Sequence, residues 1–237
     1  MKINFFEEFP DRDLGKARLI KFKSLIFIAS KNEMEFSFYK ARLKKINPKL
    51  KAGYWPILER SYWISPFAYT KELKKLHNEI KEIKSPVLID LELPFLNKKL
   101  FLNIFSFFRN KKIIKNILKN KNTITAEYAC PNNFVQKIYQ ILGISYKQKY
   151  KKIIMFYTSM IKNKKLKQEI AKTIVKQKPA VGIGTIAIGI LGNEPILSPK
   201  KLNKDLDFLK KNKIKEAYIF QLAGLNKEYL KIINKYK

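Results

Sequence analysis

The sequence predicts an α/β fold, specifically a single (β/α)8 TIM barrel that takes in residues 1–237. Three observations predict it. Short apolar runs rich in β-branched and aromatic residues alternate with lysine-rich stretches whose apolar residues recur every three or four positions. The apolar runs number eight. They are apolar almost throughout, as strands of a parallel sheet covered by helices are. No Gly-x-Gly-x-x-Gly turn follows the first run, which argues against an open doubly wound sheet.

The strands are expected at KINFFEEF (2–9), SLIFIAS (24–30), LKAGYWPI (50–57), PVLIDLEL (86–93), TITAEY (123–128), KIIMFYTS (152–159), AVGIGTIA (180–187) and EAYIFQLAG (216–224). Helices are expected between them at Asn32–Ile46, Thr70–Ile83, Asn97–Lys119, Asn133–Leu142, Lys162–Gln177, Pro199–Lys211 and Lys227–Tyr236, with a short segment at Asp11–Leu19. Ser198 followed by Pro199 reads as an N-cap with proline at the first helical position.

With 237 residues and 46% hydrophobic content the chain can bury a substantial core. Cys130 is its only cysteine, so no intrachain disulfide forms and a reducing compartment is expected. The start, MKINFFEEFPDRD, lacks the apolar stretch of a secretory signal. The longest weakly polar run, Ala180–Gly192, is shorter than the roughly 20 residues a membrane span needs. A cytoplasmic protein is expected.

The formal net charge is +31. Such a charge suits nucleic acid or an anionic membrane surface. Arginine, the residue of bidentate base and phosphate contacts, stands only at positions 12, 18, 42, 60 and 109. Lysine supplies nearly all the rest and is spread along helix faces, which fits a biased genome composition. Nucleic acid stays open as a partner through that lysine-rich surface.

In a TIM barrel the site lies at the C-terminal ends of the strands. Polar and aromatic residues gather there: Glu7 or Glu8, Ser30, Tyr54 with Trp55, Asp90 with Glu92, Glu127, Tyr157 with Ser159, Thr185 and Gln221. Asp90 and Glu92 are two apart on one strand, so their Cα atoms lie ~6.6 Å apart on one face, shared with Leu88. Glu127 on the next strand is expected to approach them. Crowded carboxylates repel, and at least one keeps its proton to higher pH. That arrangement serves glycoside hydrolysis, in which one acid protonates the leaving oxygen and a second carboxylate supports the charge. The stretch AGYWPILERSYWISPF holds Tyr54, Trp55, Tyr62, Trp63 and Phe67. It suits either a sugar-stacking platform or a loop packed over the barrel mouth.

PVLIDLE followed by IIMFYTS resembles barrel glycoside hydrolases with Asp-x-Glu on strand four, the chitinase-like and lysozyme-like muramidase groups. The chitinase pattern also carries Met-x-Tyr on strand six, which matches Met155 and Tyr157. The resemblance implies Glu92 as general acid, Asp90 as a residue that orients substrate or stabilises positive charge, and Tyr157 as a hydrogen-bond partner of the reacting sugar. The chain departs from the chitinase pattern at Leu88 and Ser85, where that group has further aspartates. It also departs from the muramidase pattern at Glu7 and Glu8, where that group has an aspartate.

The site expected from the sequence is therefore Glu92, Asp90 and Glu127 for catalysis, with Tyr54, Trp55, Tyr157, Glu7 and Gln221 binding a small-molecule or glycan substrate. No cofactor is expected, though Asp90, Glu92 and Glu127 have the chemistry to hold Mg²⁺ or Mn²⁺. An alternative is a barrel that binds or isomerises a phosphorylated small molecule, with Gly184, Thr185 and Gly224 presenting backbone N–H groups to phosphate. A third reading is a non-enzymatic basic protein. The sole histidine, His77, reads as a solvated helix residue and Cys130 as a small hydrophobe.

Overall fold

The computed structural model describes residues 1–147 and 150–237. Eight parallel strands close on themselves in sequence order, the expected TIM barrel. They are β1 (Lys2–Glu7), β2 (Ser24–Ser30), β3 (Leu50–Pro56), β4 (Val87–Asp90), β5 (Thr123–Tyr128), β6 (Lys151–Met155), β7 (Ala180–Gly184) and β8 (Glu216–Phe220). The helices are α1 (Pro10–Asp13), α2 (Glu33–Ile46), α3 (Thr70–Glu79), α4 (Phe107–Ile117), α5 (Asn133–Ile141), α6 (Lys164–Gln177), α7 (Pro199–Lys211) and α8 (Lys227–Ile233). Closure is made by β1 against β8, in a register that pairs Ile3 with Ala217 and Phe5 with Ile219. Among the described residues no helix is long and apolar enough to cross a membrane.

Local chemistry explains the helix starts. Asn32, Asn132, Asn163, Ser198 and Asn226 each accept a backbone N–H of the first turn of α2, α5, α6, α7 and α8. This satisfies donors that have no partner within the helix. The strands end earlier than the apolar runs suggest. β4 stops at Asp90, β6 at Met155 and β8 at Phe220, where a 3-10 turn Leu222–Gly224 takes over. The long helix expected at 97–119 is a 3-10 stretch, Lys98–Ser106, that leads into α4, with non-helical backbone at Asn103.

The wall is apolar on both faces. Phe5, Ile26, Ile28, Val181 and Ile219 pack outward under the helices. Phe6, Phe27, Trp55, Leu88, Tyr218 and Phe220 fill the barrel itself. The rings of Phe6 and Tyr218 lie 5.7 Å apart, and those of Phe27 and Tyr218 lie 5.9 Å apart. Alternation along each strand therefore decides which polar residue reaches the cavity above this plug.

Candidate active site

Above the aromatic plug, at the C-terminal ends of the strands, lies a cavity of about 270 Å³. Four carboxylates line it: Glu8, Asp90, Glu92 and Glu194. Aromatic walls come from Phe6, Trp55, Trp63, Tyr128, Tyr157 and Phe220. No lysine or arginine lines it among the described residues, although the chain carries a net charge of +31.

β4 supplies the centre. Leu88 packs inside the barrel while Val87, Ile89 and Leu91 pack under the helices, so Asp90 and Glu92 face the cavity. Asp90 is 5% exposed, and its Oδ1 has no hydrogen-bond partner. Burial holds the Asp90 carboxyl well above the usual carboxylate range. Glu92 and Glu8 add to this, and a hydrogen bond from Trp55 opposes it. Glu92 is half-buried and accepts the Tyr128 hydroxyl at 2.9 Å. Burial pushes the Glu92 carboxyl up to about 7, against the pull of Tyr128 and with the push of Glu8. Burial holds the Tyr157 phenol well above the usual range, and Asp90, Glu92 and Glu8 add to this. Tyr157 packs against Phe220 with ring centroids 5.8 Å apart.

A second acidic group faces this one. Glu8 accepts the Tyr62 hydroxyl and, at 2.9 Å, the Ile190 N–H. Burial lifts its carboxyl to about 7 despite those two bonds, with help from nearby Glu194. Glu194 takes the Leu191 N–H at 3.0 Å, and its other oxygen, Oε2, is buried without a partner. Gly189 holds the two acids together. A Cβ at that position would stand 2.7 Å from Glu8 Oε2, from Glu194 Oε1 and from the Phe220 ring. The loop that carries Tyr62 and Trp63 is tied to β4 by Ile64 N–H to the Asp90 carbonyl at 3.1 Å.

Several expectations are corrected. Glu127 does not join Asp90 and Glu92. On β5 it is Ala126 and Tyr128 that line the cavity, and Glu127 points under the helices. There it accepts Thr125, Ser145, Tyr150 and Lys152 at 2.9, 2.7, 3.0 and 3.0 Å. Tyr54 also faces outward, donating to Glu79 at 2.6 Å and stacking on Phe36. Gln221 is buried and donates to the Ile188 carbonyl at 2.6 Å, outside the cavity lining. Glu7 points outward, accepts the Phe9 N–H at 2.8 Å, and leaves Oε2 unpartnered.

The backbone expected to bind phosphate is committed elsewhere. The Thr185 N–H meets Ser159 Oγ at 3.4 Å, and the Gly224 N–H meets the Gln221 carbonyl at 3.2 Å. A Cβ at Gly224 would fall 1.9 Å from the Ile186 carbonyl oxygen. Gly184 has φ +131 and lies against the Phe220 carbonyl. These glycines allow close packing of the loops. Thr185 does line the cavity, with its hydroxyl given to the Pro195 carbonyl at 2.7 Å. Among the described residues no group of three or more His, Cys, Asp or Glu side chains is arranged to hold a metal ion. His77 is half-buried on α3, and Cys130 lines a small side cavity beside Glu127.

Beyond the expected site the cavity takes in Glu8 and Trp63, both among the wider strand-end and aromatic candidates of the sequence, and Glu194, which is new. Glu8 has a legible signal, since Glu7 and Glu8 are adjacent and one of them must face inward. Glu194 lies in ILGNEP, after the glycine-rich run of β7, where only the folded loop brings it back over the barrel.

The raised carboxyls fix the sign of the pH dependence of stability. Burial pushes Glu7 from its ordinary 4.5 to about 8, so the folded state holds this proton more tightly than the unfolded state. The resulting stability is fully present below 4.5 and is lost as pH rises through about 8. Glu8, Asp90 and Glu92 act with the same sign. Chemical denaturation should show lower stability at pH ~8 than at pH ~5, and Glu7→Gln should flatten the decline by about 2 kcal/mol or more. An unchanged slope in that variant would contradict the assignment.

No family model and no curated protein matches the sequence. Solved structures do match in shape. The glycoside hydrolase domain of PgaB from Bordetella bronchiseptica aligns at TM-score 0.54 and 9% identity, covering 98% of this chain and 95% of that one. A chitinase from Chromobacterium violaceum aligns at 0.55 and 9% identity, covering 99% and 98%. A D-allulose 3-epimerase from Methylomonas sp., solved with D-allulose, aligns at 0.57 and 12% identity, covering 100% and 97%. At such identities the likeness shows the barrel fold shared by these proteins and this chain.

Proposed function

We propose that the protein is a glycoside hydrolase acting on an unphosphorylated carbohydrate, with Glu92 as general acid. The observation that carries this reading is Glu92 itself. It is a carboxyl held protonated to about 7, reachable from an aromatic-walled cavity and flanked by buried Asp90 and Glu8. The Tyr128 hydroxyl bonds Glu92 Oε2 at 2.9 Å and so orients the carboxyl that lines the cavity. The Glu92 proton passes to the glycosidic oxygen as the bond from that oxygen to the anomeric carbon breaks. Positive charge then develops on the sugar ring, favoured by the Glu92 carboxylate that the proton transfer leaves and by the ionised fraction of Glu8, while Asp90, kept neutral by burial, orients the substrate by hydrogen bonding. A water adds at the anomeric carbon and returns a proton to a carboxylate. Trp55 and Trp63 offer flat apolar faces for sugar rings, and Tyr157 a hydroxyl next to the acids. The chemistry needs no cofactor.

The test is the appearance of new reducing ends when the protein is incubated with chito-, cello- and malto-oligosaccharides and with peptidoglycan fragments. Release from any of these supports the reading; none from the whole panel between pH ~5 and ~7 contradicts it. A phosphorylated ligand fits poorly, because among the described residues four acidic side chains and no basic one line the cavity. Inorganic phosphate and glucose 6-phosphate at millimolar concentration are expected to leave the thermal midpoint unchanged. A midpoint that climbs with their concentration would favour the phosphate alternative.

A further inference from the structure

We infer that the segment after Glu92, together with α5, is a docking surface for an anionic lipid bilayer. Phe95, Leu96, Leu102, Ile104, Phe105 and Phe108 project from this segment into solvent, with Phe105 100%, Phe108 82% and Leu102 77% exposed. Soluble surfaces do not normally cluster large apolar side chains in this way. The segment is firmly seated from beneath. Leu100 and Phe107 turn inward onto Phe67, and Asn103 Nδ2 donates to the Phe67 carbonyl at 2.9 Å. Its apolar side chains therefore protrude from an anchored backbone. The next helix, α5, has no fully buried residue. It exposes Phe134, Ile138 and Ile141, a spacing that puts them on one face. Lys111 Nζ clasps the two helices together by bonding the carbonyls of Gln140 and Ile141 at 2.7 and 2.8 Å.

Charge selects the occupant. Between Glu92 and Glu169 the only acid in the chain is Glu127, which is buried and paired with Lys152 at 3.0 Å. Exposed Lys98, Lys99, Arg109, Lys112, Lys115 and Lys137 are interspersed with the apolar side chains along the same segments. Elsewhere lysine is interspersed with surface acids, such as Glu33 and Glu35 on α2 and Asp207 on α7. Composition bias alone does not produce an apolar patch in a stretch of chain cleared of surface acids. Apolar groups that enter the acyl boundary, with lysines at the headgroups, are the pattern of an interfacial membrane contact. The segment follows β4 and α5 follows β5, so the patch begins at the end of the barrel where the cavity opens and continues down its side along α5.

Flotation of the whole chain with vesicles tests this. Vesicles of phosphatidylcholine with about one third phosphatidylglycerol should carry the protein, and pure phosphatidylcholine vesicles should carry much less. The exposed pair Leu102→Ser with Phe105→Ser should keep its circular dichroism and weaken binding about tenfold or more. Three results would overturn the inference. One is no flotation with anionic vesicles. Another is salt-sensitive binding that the double variant retains, which is the behaviour of a general polycation. The last is a dimer in sedimentation that the double variant dissociates, which would assign the patch to a second copy of the chain.

Discussion

Glu92→Gln is expected to reduce glycoside hydrolysis by about a hundredfold or more while leaving the barrel folded. The amide keeps the shape of the side chain and can still meet the Tyr128 hydroxyl at its carbonyl oxygen. It has no acidic proton to give the leaving oxygen. The native carboxyl already tends towards its neutral form, lifted to about 7 by burial, so a permanently neutral side chain suits the site. The thermal midpoint should therefore hold or rise slightly above pH ~7, where the wild type begins to carry a buried charge. In the wild type, activity should fall as pH rises through the region of that proton, because the acid form is lost. Activity that survives in Glu92→Gln, or a protein that unfolds on this change, would remove Glu92 from the role of acid.

Glu127→Ala is expected to do the reverse, costing about 3 kcal/mol of stability with little change in turnover per folded molecule. The Glu127 side chain is 3% exposed and is the hub of four hydrogen bonds, including the ion pair with Lys152. Removing it leaves Thr125, Ser145 and Tyr150 without this acceptor and strands the lysine beside Tyr146. Denaturant titration measures the loss, and reducing-end release at a temperature where both proteins are folded measures the activity. If Glu127→Ala lost activity but not stability, Glu127 would return to the reacting group and the geometry described above would be wrong. The two variants together separate the carboxyl that faces the cavity from the one that supports its wall.

The contrast between Glu92 and Glu127 shows what was legible in the sequence. The eight apolar runs and the lysine-rich stretches between them were enough for the barrel, because period-two and near-3.6 patterns report directly on burial. In β4 the run Val87, Ile89, Leu91 opposite Leu88 also located the face of Asp90 and Glu92 correctly. For β1, β3 and β5 the face could not be read. A barrel wall is apolar on both sides, so alternation separates two faces without saying which looks inward. This is why the pattern offers Glu7 as readily as Glu8, sets Tyr54 beside Trp55, and sets Glu127 beside Asp90. The partners that neutralise Glu127 lie on β6 and in the loop before it, and only the folded chain brings Ser145, Tyr150 and Lys152 to it. Glu194 reaches the cavity through a long loop shaped by Gly189, which no local pattern encodes.

Both tryptophans of the chain, Trp55 and Trp63, line the cavity, so tryptophan emission, excited where tyrosine does not absorb, reports on this place. The most direct test of the account is a titration of tryptophan emission with neutral oligosaccharides from the hydrolysis panel, run on Glu92→Gln so that bound glycan is not consumed. A saturable change in emission is expected for at least one oligosaccharide and none for inorganic phosphate. A saturable response to phosphate or sugar phosphates, with none to any oligosaccharide, would contradict a carbohydrate site in this barrel.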